Sequence, residues 1–204
     1  MTLVLPDKDY WDKLYTSHQY VYGTEPNVYL QEQAFRLRSG MKALALADGE
    51  GRNGVWLAEQ GLTVLSVDYS FAGIEKARLL AAQRKVSLTC QCRDIVQWEW
   101  PEQRFDVVAA MYLHLAAPER KLVHGNIIRA LKPGGLLILE AFHRRQLGRF
   151  ASNQEAADVF YTTSMLDEDF RRCCILELLE GDVLLEEGYM HQGQAAVVRL
   201  LARK

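Results

Sequence analysis

The sequence predicts an α/β fold built on a doubly wound, mostly parallel sheet. Short continuous apolar runs at 43–46 and 105–111 are typical of strands that are buried on both faces. Segments with helical periodicity lie between several of the apolar runs, as crossovers between parallel strands require. From Cys174 onward the strand-like segments follow one another without a helix, so the sheet is expected to finish in an antiparallel hairpin.

Local signals mark where the elements begin and end. Ser70 precedes a helical pattern as an N-cap residue, Pro118 stands at the start of a later helix, and Gly181 and Asp182 are expected to interrupt a strand. The predicted helices are 7–17, 27–38, 55–61, 70–84, 118–130 and 165–172. The predicted strands are 43–46, 64–67, 86–92, 105–111, 136–142, 174–179, 183–187 and 195–202.

The most informative stretch, 41–68, reads as strand, tight turn, helix and strand. The turn, 49–54, carries glycine at its first, third and sixth positions, and the second strand ends on Asp68. Glycines let a ligand approach the backbone, and a helix N-terminus offers free N–H groups. A carboxylate at the end of the second strand can accept hydrogen bonds from both hydroxyls of a ribose. The stretch therefore predicts binding of a small molecule that contains a nucleoside.

The N-terminal 40 residues are rich in aromatic side chains and precede the first strand. One interpretation is a helical pair packed on the edge of the sheet. The other is a lid that covers the ligand with Tyr20 or Tyr22. We predict a single domain over residues 1–204, with 1–40 as its helical lid.

Composition narrows the classes of function. The 204 residues carry a formal net charge of −2, which does not favour nucleic-acid binding, and no apolar run is long enough for a membrane helix. The N-terminus does not resemble a signal peptide, so a cytoplasmic location is expected. Metal binding is not predicted, because the spacing of the cysteines does not match a zinc site. The four cysteines are Cys90, Cys92, Cys173 and Cys174.

Five segments in order give the chain its resemblance to the class I S-adenosylmethionine-dependent methyltransferases. These segments are 47–53, 67–70, 93–95, 105–108 and 131–135. Three others, 22–27, 51–53 and 191–193, resemble the small bacterial methyltransferases of the tellurite-resistance and thiopurine type. The resemblance implies a seven-stranded Rossmann-like sheet, S-adenosyl-L-methionine as cofactor and a small-molecule methyl acceptor.

The resemblance also implies residue roles. Asp68 would hold the ribose hydroxyls, Asp94 would accept from the adenine amino group, and the backbone of Ile95 would face the adenine ring. A sulfonium favours aromatic faces, which Tyr22 or Tyr112 can supply. The implied cofactor-binding residues are Tyr22, Ala47, Asp48, Gly49, Gly51, Asn53, Asp68, Tyr69, Ser70, Asp94, Ile95, Met111 and Tyr112.

Two positions depart from the family pattern. Ala45 stands where the family usually has an acid in the first strand, and Ala47 stands where a glycine usually opens the turn. Asp48 is the only acid among residues 45–48. It either replaces the group that recognises the amino end of the cofactor or caps the following helix.

Methyl transfer needs a base only when the acceptor must lose a proton. His114, just after the strand at 105–111, is the first candidate for that base, and Tyr22 is the second residue predicted at the reacting centre. The alternative for His114 is a histidine packed at the start of a helix. His143, at the end of the strand at 136–142, is a weaker candidate for the base.

A small acceptor pocket is expected between Tyr22, His114 and the loop that follows Phe142. Three arginines follow that strand: Arg144, Arg145 and Arg149. They either favour an anionic or thiolate acceptor or are solvated loop charges.

Two other classes of function stay open. One is a protein that binds S-adenosylmethionine without catalysis, such as a regulator. The other is a nicotinamide-dependent oxidoreductase, which also fits the glycine turn and Asp68. No Tyr-x-x-x-Lys pair of a short-chain dehydrogenase is present, and the N-terminal aromatic segment argues against that class. The oligomeric state is not predicted.

Overall fold

The computed structural model describes residues 7–147 and 159–204, and its seven strands in these ranges form one sheet. The strands are β1 (Lys42–Leu46), β2 (Thr63–Asp68), β3 (Thr89–Cys92), β4 (Phe105–Met111), β5 (Leu131–Phe142), β6 (Cys174–Glu187) and β7 (His191–Arg203). The helices are α1 (Lys8–Tyr15), α2 (Val28–Glu32), α3 (Arg52–Glu59), α4 (Phe71–Arg84), α5 (Ala117–Ala130) and α6 (Thr163–Asp169). In these two ranges, no helix has the length and apolar character needed to cross a bilayer.

The sheet is parallel from β3 through β5 and antiparallel at its other end. The strand order is β3-β2-β1-β4-β5-β7-β6, with β5 and β6 each antiparallel to β7. The predicted fold class is therefore confirmed, including the antiparallel finish. Since β2 lies on one side of β1 and β4 on the other, the order reverses between β1 and β4. In open α/β sheets, ligands bind at the carboxyl ends of strands at such a reversal.

Both faces of the central strands are covered, as their apolar runs predict. On one face, Leu44 packs in the same core cluster as Val123 of α5 and Leu166 of α6. On the other face, Ala43 packs in a cluster with Leu30 of α2 and Leu57 of α3. A strand enclosed by two layers cannot alternate apolar and polar side chains, because both faces are buried.

Several element boundaries differ from the sequence prediction; β3 begins at Thr89 and not at 86, and β7 begins at His191 and not at 195. The second helix ends at Glu32 and continues as a 3₁₀ turn, Ala34–Arg36, so the predicted 27–38 helix is too long. β5 begins at Leu131, which pairs with Phe105, and not at 136 as predicted; the register of this pairing shifts between Phe105 and Val107. β6 is continuous through Gly181, which pairs with Val197, so the predicted interruption is wrong. The long partner β7 keeps the ladder intact there.

The N-terminal segment lies across the carboxyl rim of the sheet. Asp12 of α1 accepts hydrogen bonds from the Ser70 hydroxyl (2.6 Å) and the Ala72 N–H (3.1 Å), so it helps to cap α4. The Val21 carbonyl accepts from the N–H groups of Tyr189 and Met190 in the turn between β6 and β7. Residues 7–40 therefore bridge α4 and the C-terminal hairpin.

A buried charge cluster connects α5 and α6. Asp169 accepts from the Arg120 guanidinium (2.8 Å) and pairs with His124 Nδ1 (2.8 Å), and all three side chains are at most 4% exposed. These two partners hold the pKa of Asp169 below its usual range against the opposing effect of burial. The cluster therefore fixes α6 to α5 through a charged contact that is almost fully buried.

We expect Asp169→Ala to lower the free energy of unfolding by about 3–5 kcal/mol, because Arg120 would stay buried without its counter-charge. The matched control is Glu168→Ala, which removes an exposed pair with Lys121 and should cost less than about 1 kcal/mol. Urea unfolding of both variants measures the difference. Equal losses in the two variants would mean that the buried cluster contributes no more than a surface pair.

Candidate cofactor and active site

A cavity opens at the carboxyl ends of β1 and β4, where the strand order reverses. It is lined from four parts of the chain: the N-terminal segment, the turn after β1, the ends of β4 and β5, and the C-terminal hairpin. The lining residues are Trp11, Tyr22, Gly23, Ala47, Asp48, Gly49, Glu50, Arg52, Asn53, Met111, Tyr112, His114, Phe142 and His191. The structure thus brings Tyr22 and His114, predicted at the reacting centre, into one cavity.

The turn between β1 and α3 uses its glycines for different purposes. Gly49 has φ +56° and lines the cavity, so its conformation suits a residue without a side chain. A Cβ on Gly51 would lie 2.5 Å from the Ala77 Cβ, so this glycine allows α4 to approach the turn. A Cβ on Gly54 would overlap the Asp48 carboxylate. Ala47 also adopts a left-handed conformation, φ +50°, where the family usually has glycine.

Asp48 points into the turn. Its carboxylate accepts from the Gly54 N–H (3.1 Å) and from the Ser66 hydroxyl (2.8 Å). Gly54 is the third residue of α3, so Asp48 satisfies one of the free N–H groups at the start of that helix. Burial raises the pKa of Asp48 to about 7. This geometry corresponds to the capping role, one of the two roles predicted for Asp48.

Asp68 lies at the predicted place but is covered. Its two oxygens accept from the Gly49 N–H (2.7 Å) and the Ser70 N–H (2.8 Å), and burial raises its pKa to about 6. It does not line the cavity. Tyr15 of α1 packs on this part of the turn, with its hydroxyl 2.7 Å from where a Gly49 Cβ would be. Here α1 covers the side of the crevice at which a ribose would meet Asp68.

Four further residues predicted to bind the cofactor, Tyr69, Ser70, Asp94 and Ile95, do not line the cavity. Ser70 is fully buried, and its hydroxyl accepts from the Gly73 N–H (3.0 Å) while donating to Asp12. Tyr69 is partly exposed, and Ile95 belongs to the core. Asp94 accepts from the Val96 N–H (2.9 Å) and lines a shallow surface depression with Arg93, Gln97 and Trp98.

Tyr112 is held in place by a buried carboxylate. Its hydroxyl donates to Glu140 (2.7 Å), which also accepts from the Asn27 amide (2.6 Å) and the Arg199 guanidinium (2.5 Å). Tyr112 has φ +54°, a conformation that costs free energy for a residue with a side chain. The bond to Glu140 helps to maintain that conformation and keeps the aromatic ring at the cavity wall.

His114 is a neutral histidine with one free nitrogen. Its Nδ1 lies 3.1 Å from the Val159 carbonyl oxygen, which only accepts, so Nδ1 carries the proton and Nε2 the lone pair. Nε2 has no hydrogen-bond partner among the described residues. Burial lowers the pKa of His114 to about 4, and the ring stacks on Phe142 with 5.4 Å between centroids. His114 therefore combines both predicted features, a proton-accepting atom and a packed ring.

Sequence reasoning missed a second cavity histidine, His191. Its Nδ1 lies 3.1 Å from Glu187, and Glu187 also pairs with Arg52 (2.8 Å). The ring centroid of His191 lies 4.4 Å from that of Tyr22 and 4.6 Å from that of Tyr112. In the sequence, residues 191–193 indicated only the family resemblance and no role for the histidine. The one available signal was the Glu187–His191 spacing across a glycine turn, which allows contact only if a hairpin forms there.

Comparison with known proteins supports the resemblance that the sequence predicts. Residues 43–135, from β1 into the start of β5, match the family described as "Methyltransferase domain". The predicted resemblance to the class I S-adenosylmethionine-dependent methyltransferases is thereby confirmed, and S-adenosylmethionine is the cofactor that such a likeness indicates.

Curated relatives of the chain include the ubiquinone biosynthesis O-methyltransferases of Coxiella burnetii. They are 32% identical over 113 residues, which cover 55% of this chain and 48% of theirs. A protein of the same name from Bradyrhizobium is 30% identical over 106 residues, 52% of this chain and 42% of its own. The chain therefore spans about half the length of the curated relatives it matches.

Solved structures with the same fold cover nearly the whole chain. The N-methyltransferase NodS from Bradyrhizobium japonicum, in complex with S-adenosylhomocysteine, has a TM-score of 0.73 and 15% identity over 98% of this chain and 99% of its own. TehB from Haemophilus influenzae, a tellurite-resistance protein, has a TM-score of 0.71 and 19% identity over 97% of this chain and 66% of its own. At such identities the likeness concerns the fold.

The donor set of the crevice fits S-adenosylmethionine, although one side of the crevice is covered. The cavity offers the aromatic rings of Tyr22 and Tyr112 to a sulfonium, and Met111 adds an apolar side chain to the same wall. Asp68 keeps some acceptor capacity for a ribose hydroxyl, since a carboxylate has about four lone-pair sites and the backbone N–H groups of Gly49, Ser70 and Tyr69 use three of them. Tyr15 would have to move before a ribose could reach Asp68.

The basic cluster after β5 does not reach the cavity. Arg144 and Arg145 are exposed, and neither lines the cavity. His143 lies 3.1 Å from Glu180 of β6 and accepts from the Arg145 N–H, so it is also outside the cavity wall. Arg149 lies outside the described residues. The structure thus does not bring Arg144, Arg145 or His143 together with Tyr22 and His114.

We expect Gly54→Ala to lower the free energy of unfolding by about 1–3 kcal/mol, since the new methyl group overlaps the buried Asp48 carboxylate. The matched control is Gly125→Ala in α5, where nothing lies within 4 Å of the new Cβ. This control should gain about 0.5–1 kcal/mol, because alanine favours the helix over glycine. Thermal unfolding of both variants gives the comparison. A stable Gly54→Ala protein would show that the Asp48 cap is dispensable.

Proposed function

We propose that this chain is an S-adenosylmethionine-dependent methyltransferase that acts on a small molecule. The observation that supports it is the cavity at the strand reversal of a chain that matches a methyltransferase family over residues 43–135, where the glycine turn meets Tyr112 and two neutral histidines. Methyl transfer requires mainly orientation and exclusion of water from the protein, since the cofactor carries the reactive group. A cavity enclosed by four parts of the chain suits that requirement.

The cofactor would occupy the crevice on both sides of the glycine turn. Its methionine part would lie in the open cavity near Ala47, Gly49 and Asn53, and its ribose would bind Asp68. Reaching Asp68 requires Tyr15 to move, so α1 would act as a lid over the ribose. This interpretation keeps the predicted lid function of residues 1–40 and identifies Tyr15 as the residue that closes it.

Asp12 is the contact that would hold the lid closed. It is bound by Lys8 from its own helix and by Ser70 and Ala72 at the start of α4. These contacts are few and lie near the surface, so local opening of α1 costs much less than global unfolding. Opening of α1 therefore gives the cofactor a low-energy way to reach Asp68.

A hydroxyl-bearing acceptor suits the cavity better than an anionic one. The cavity is lined by aromatic rings, and its arginine, Arg52, is already paired with Glu187. The sequence favoured an anionic or thiolate acceptor because of Arg144 and Arg145, yet both lie outside the cavity lining. The curated relatives are named as O-methyltransferases, which agrees with a hydroxyl acceptor.

Binding without catalysis is a second candidate, favoured by the departures at the turn. Ala45 leaves β1 without the usual acid, and Ala47 carries a methyl group in a left-handed conformation. Both changes act on the amino-acid end of the cofactor. A screen for methyl transfer to phenols, thiols and selenite separates the two candidates, because a binding protein would hold S-adenosylhomocysteine and transfer nothing.

We expect Asp68→Asn to weaken S-adenosylhomocysteine binding at least about tenfold, because a hydrogen bond to a charged acceptor contributes about 1.5–3 kcal/mol. The matched control is Asp106→Asn at the start of β4, where the carboxylate pairs with Lys132, away from the cavity. Calorimetric titration measures both affinities, and NADH serves as the competing ligand. Unchanged affinity in Asp68→Asn would rule out ribose binding at this carboxylate, and NADH binding would favour an oxidoreductase.

We expect Asp12→Ala to accelerate S-adenosylhomocysteine association and to speed hydrogen exchange in α1, because it removes the bonds that dock α1 on α4. Asp9→Ala, an exposed change on the same helix, is the control and should alter neither rate. In the wild-type protein, bound S-adenosylhomocysteine should slow exchange in residues 8–22. Identical association rates in all three proteins would make α1 a fixed part of the wall.

A further inference from the structure

We propose that His191, oriented by Glu187, is the general base that removes the proton from an acceptor hydroxyl. The proposal rests on the methyltransferase function proposed above and adds to it the class of acceptor, an O–H group that enters protonated. The histidine and its carboxylate partner lie on the two sides of the turn that joins β6 to β7.

The partners of Glu187 determine its protonation state. It is buried, yet the His191 hydrogen bond and the Arg52 guanidinium hold its pKa below the usual range. Asn27 adds a longer contact to its other oxygen at 3.4 Å. Glu187 is therefore ionised near neutral pH. A buried carboxylate with these partners has a fixed position as well as a fixed charge.

The charge of Glu187 determines the tautomer of His191. An ionised carboxylate only accepts hydrogen bonds, so the nitrogen that faces Glu187, Nδ1, carries the proton. Nε2 then carries the lone pair. Burial lowers the pKa of His191, which keeps the ring neutral and able to accept a proton near neutral pH.

His191 also lies in the wall of the cavity where an acceptor would bind. His191 lines the cavity together with His114 and Phe142, and its ring lies against both Tyr22 and Tyr112. Tyr112 follows the end of β4, which the family resemblance places near the sulfonium. A base in this wall stands beside the space where an acceptor would meet the methyl group.

The carboxylate distinguishes His191 from His114. When either ring takes up a proton, the new positive charge needs stabilisation in a site of low dielectric constant. His114 has only the Val159 carbonyl oxygen, whereas His191 has the negative charge of Glu187. His191 is thus the stronger base of the two, and Glu187 is its positioning residue.

The reaction step balances without any further reactant. The proton of the acceptor O–H group moves to Nε2 of His191, and the oxygen electron pair forms the new bond to the methyl carbon. The carbon–sulfur bond of S-adenosylmethionine breaks, and its electron pair stays on sulfur. His191 later loses the proton to solvent when the products leave.

The first test is independent of turnover and uses nitrogen NMR of the histidine rings. In the wild-type protein, the His191 signals should report a protonated Nδ1 and a free Nε2. Glu187→Gln should lower the pKa of His191, because the negative charge is lost while a side-chain acceptor remains. The other titratable or charged groups that the measurement must take into account are Arg52, His114, Glu140, Tyr22 and Tyr112. An unchanged His191 pKa in Glu187→Gln would overturn the role of the carboxylate.

The second test compares two acceptors and two histidine variants. His191→Asn keeps an N–H donor for Glu187 but has no proton acceptor in place of Nε2, and His114→Asn is the matched variant in the same cavity. With catechol as the acceptor, His191→Asn should lower kcat by about 10²–10⁴-fold, the usual contribution of a general base. It should also abolish the ascending limb of the pH profile, which His114→Asn should preserve. With 4-nitrocatechol, whose more acidic hydroxyl is already ionised near neutral pH, the loss in His191→Asn should be much smaller than with catechol, since no proton must be removed.

The outcomes distinguish failure of the proposed base from failure of the proposed methyltransferase function. Failure of the wild-type protein to bind S-adenosylhomocysteine would reject the methyltransferase function itself. Normal binding with equal catechol turnover in the wild-type and His191→Asn proteins would reject only the base. Normal binding with no catechol methylation by the wild-type protein would reject the hydroxyl acceptor. A melting temperature for His191→Asn within a few degrees of the wild type would show that the variant is folded.

Discussion

Two buried carboxylates hold the turn between β1 and α3, and the crevice depends on them. Asp48 accepts from the Gly54 N–H, and Asp68 accepts from the Gly49 N–H. A turn that leaves a strand and enters a helix has backbone donors without repeating partners, and these donors must be satisfied when water is excluded. The two carboxylates accept hydrogen bonds from these backbone N–H groups. The glycines can then present bare backbone to the cavity while α4 packs closely behind.

A second pair of carboxylates joins distant parts of the chain into one site. Glu140 at the end of β5 binds Asn27 and Tyr112, and Glu187 at the end of β6 binds Arg52 and His191. Each of these side chains is at a different place in the sequence, but all lie at the carboxyl rim of the sheet. The cavity is therefore shaped by ion pairs and hydrogen bonds that exist only when the N-terminal segment and the hairpin are both docked.

Burial also shifts the pKa values of the carboxyl groups and histidines in the site. Carboxylates that are desolvated have raised pKa values, as at Asp48 and Asp68, unless a cation faces them, as Arg52 faces Glu187. Histidines in the same surroundings lose their proton, so His114 and His191 are neutral. A neutral imidazole beside a fixed negative charge is prepared to accept a proton. These properties support the proposed removal of a proton from a hydroxyl acceptor.

Sequence alone determined the sheet, the turn and the family, because these follow from local signals. Apolar runs predicted the central strands, the glycine spacing located the crevice, and the helix-free segment from Cys174 onward predicted the antiparallel end. Only the tertiary structure showed that Gly181 does not break β6, since pairing with β7 outweighs the local weakness of glycine. Only it separated Arg144 and Arg145 from the cavity and brought His191 into it. The physical reason is that a side chain reaches a site through the packing of whole elements, and periodicity records which face is buried but not which distant residue it meets.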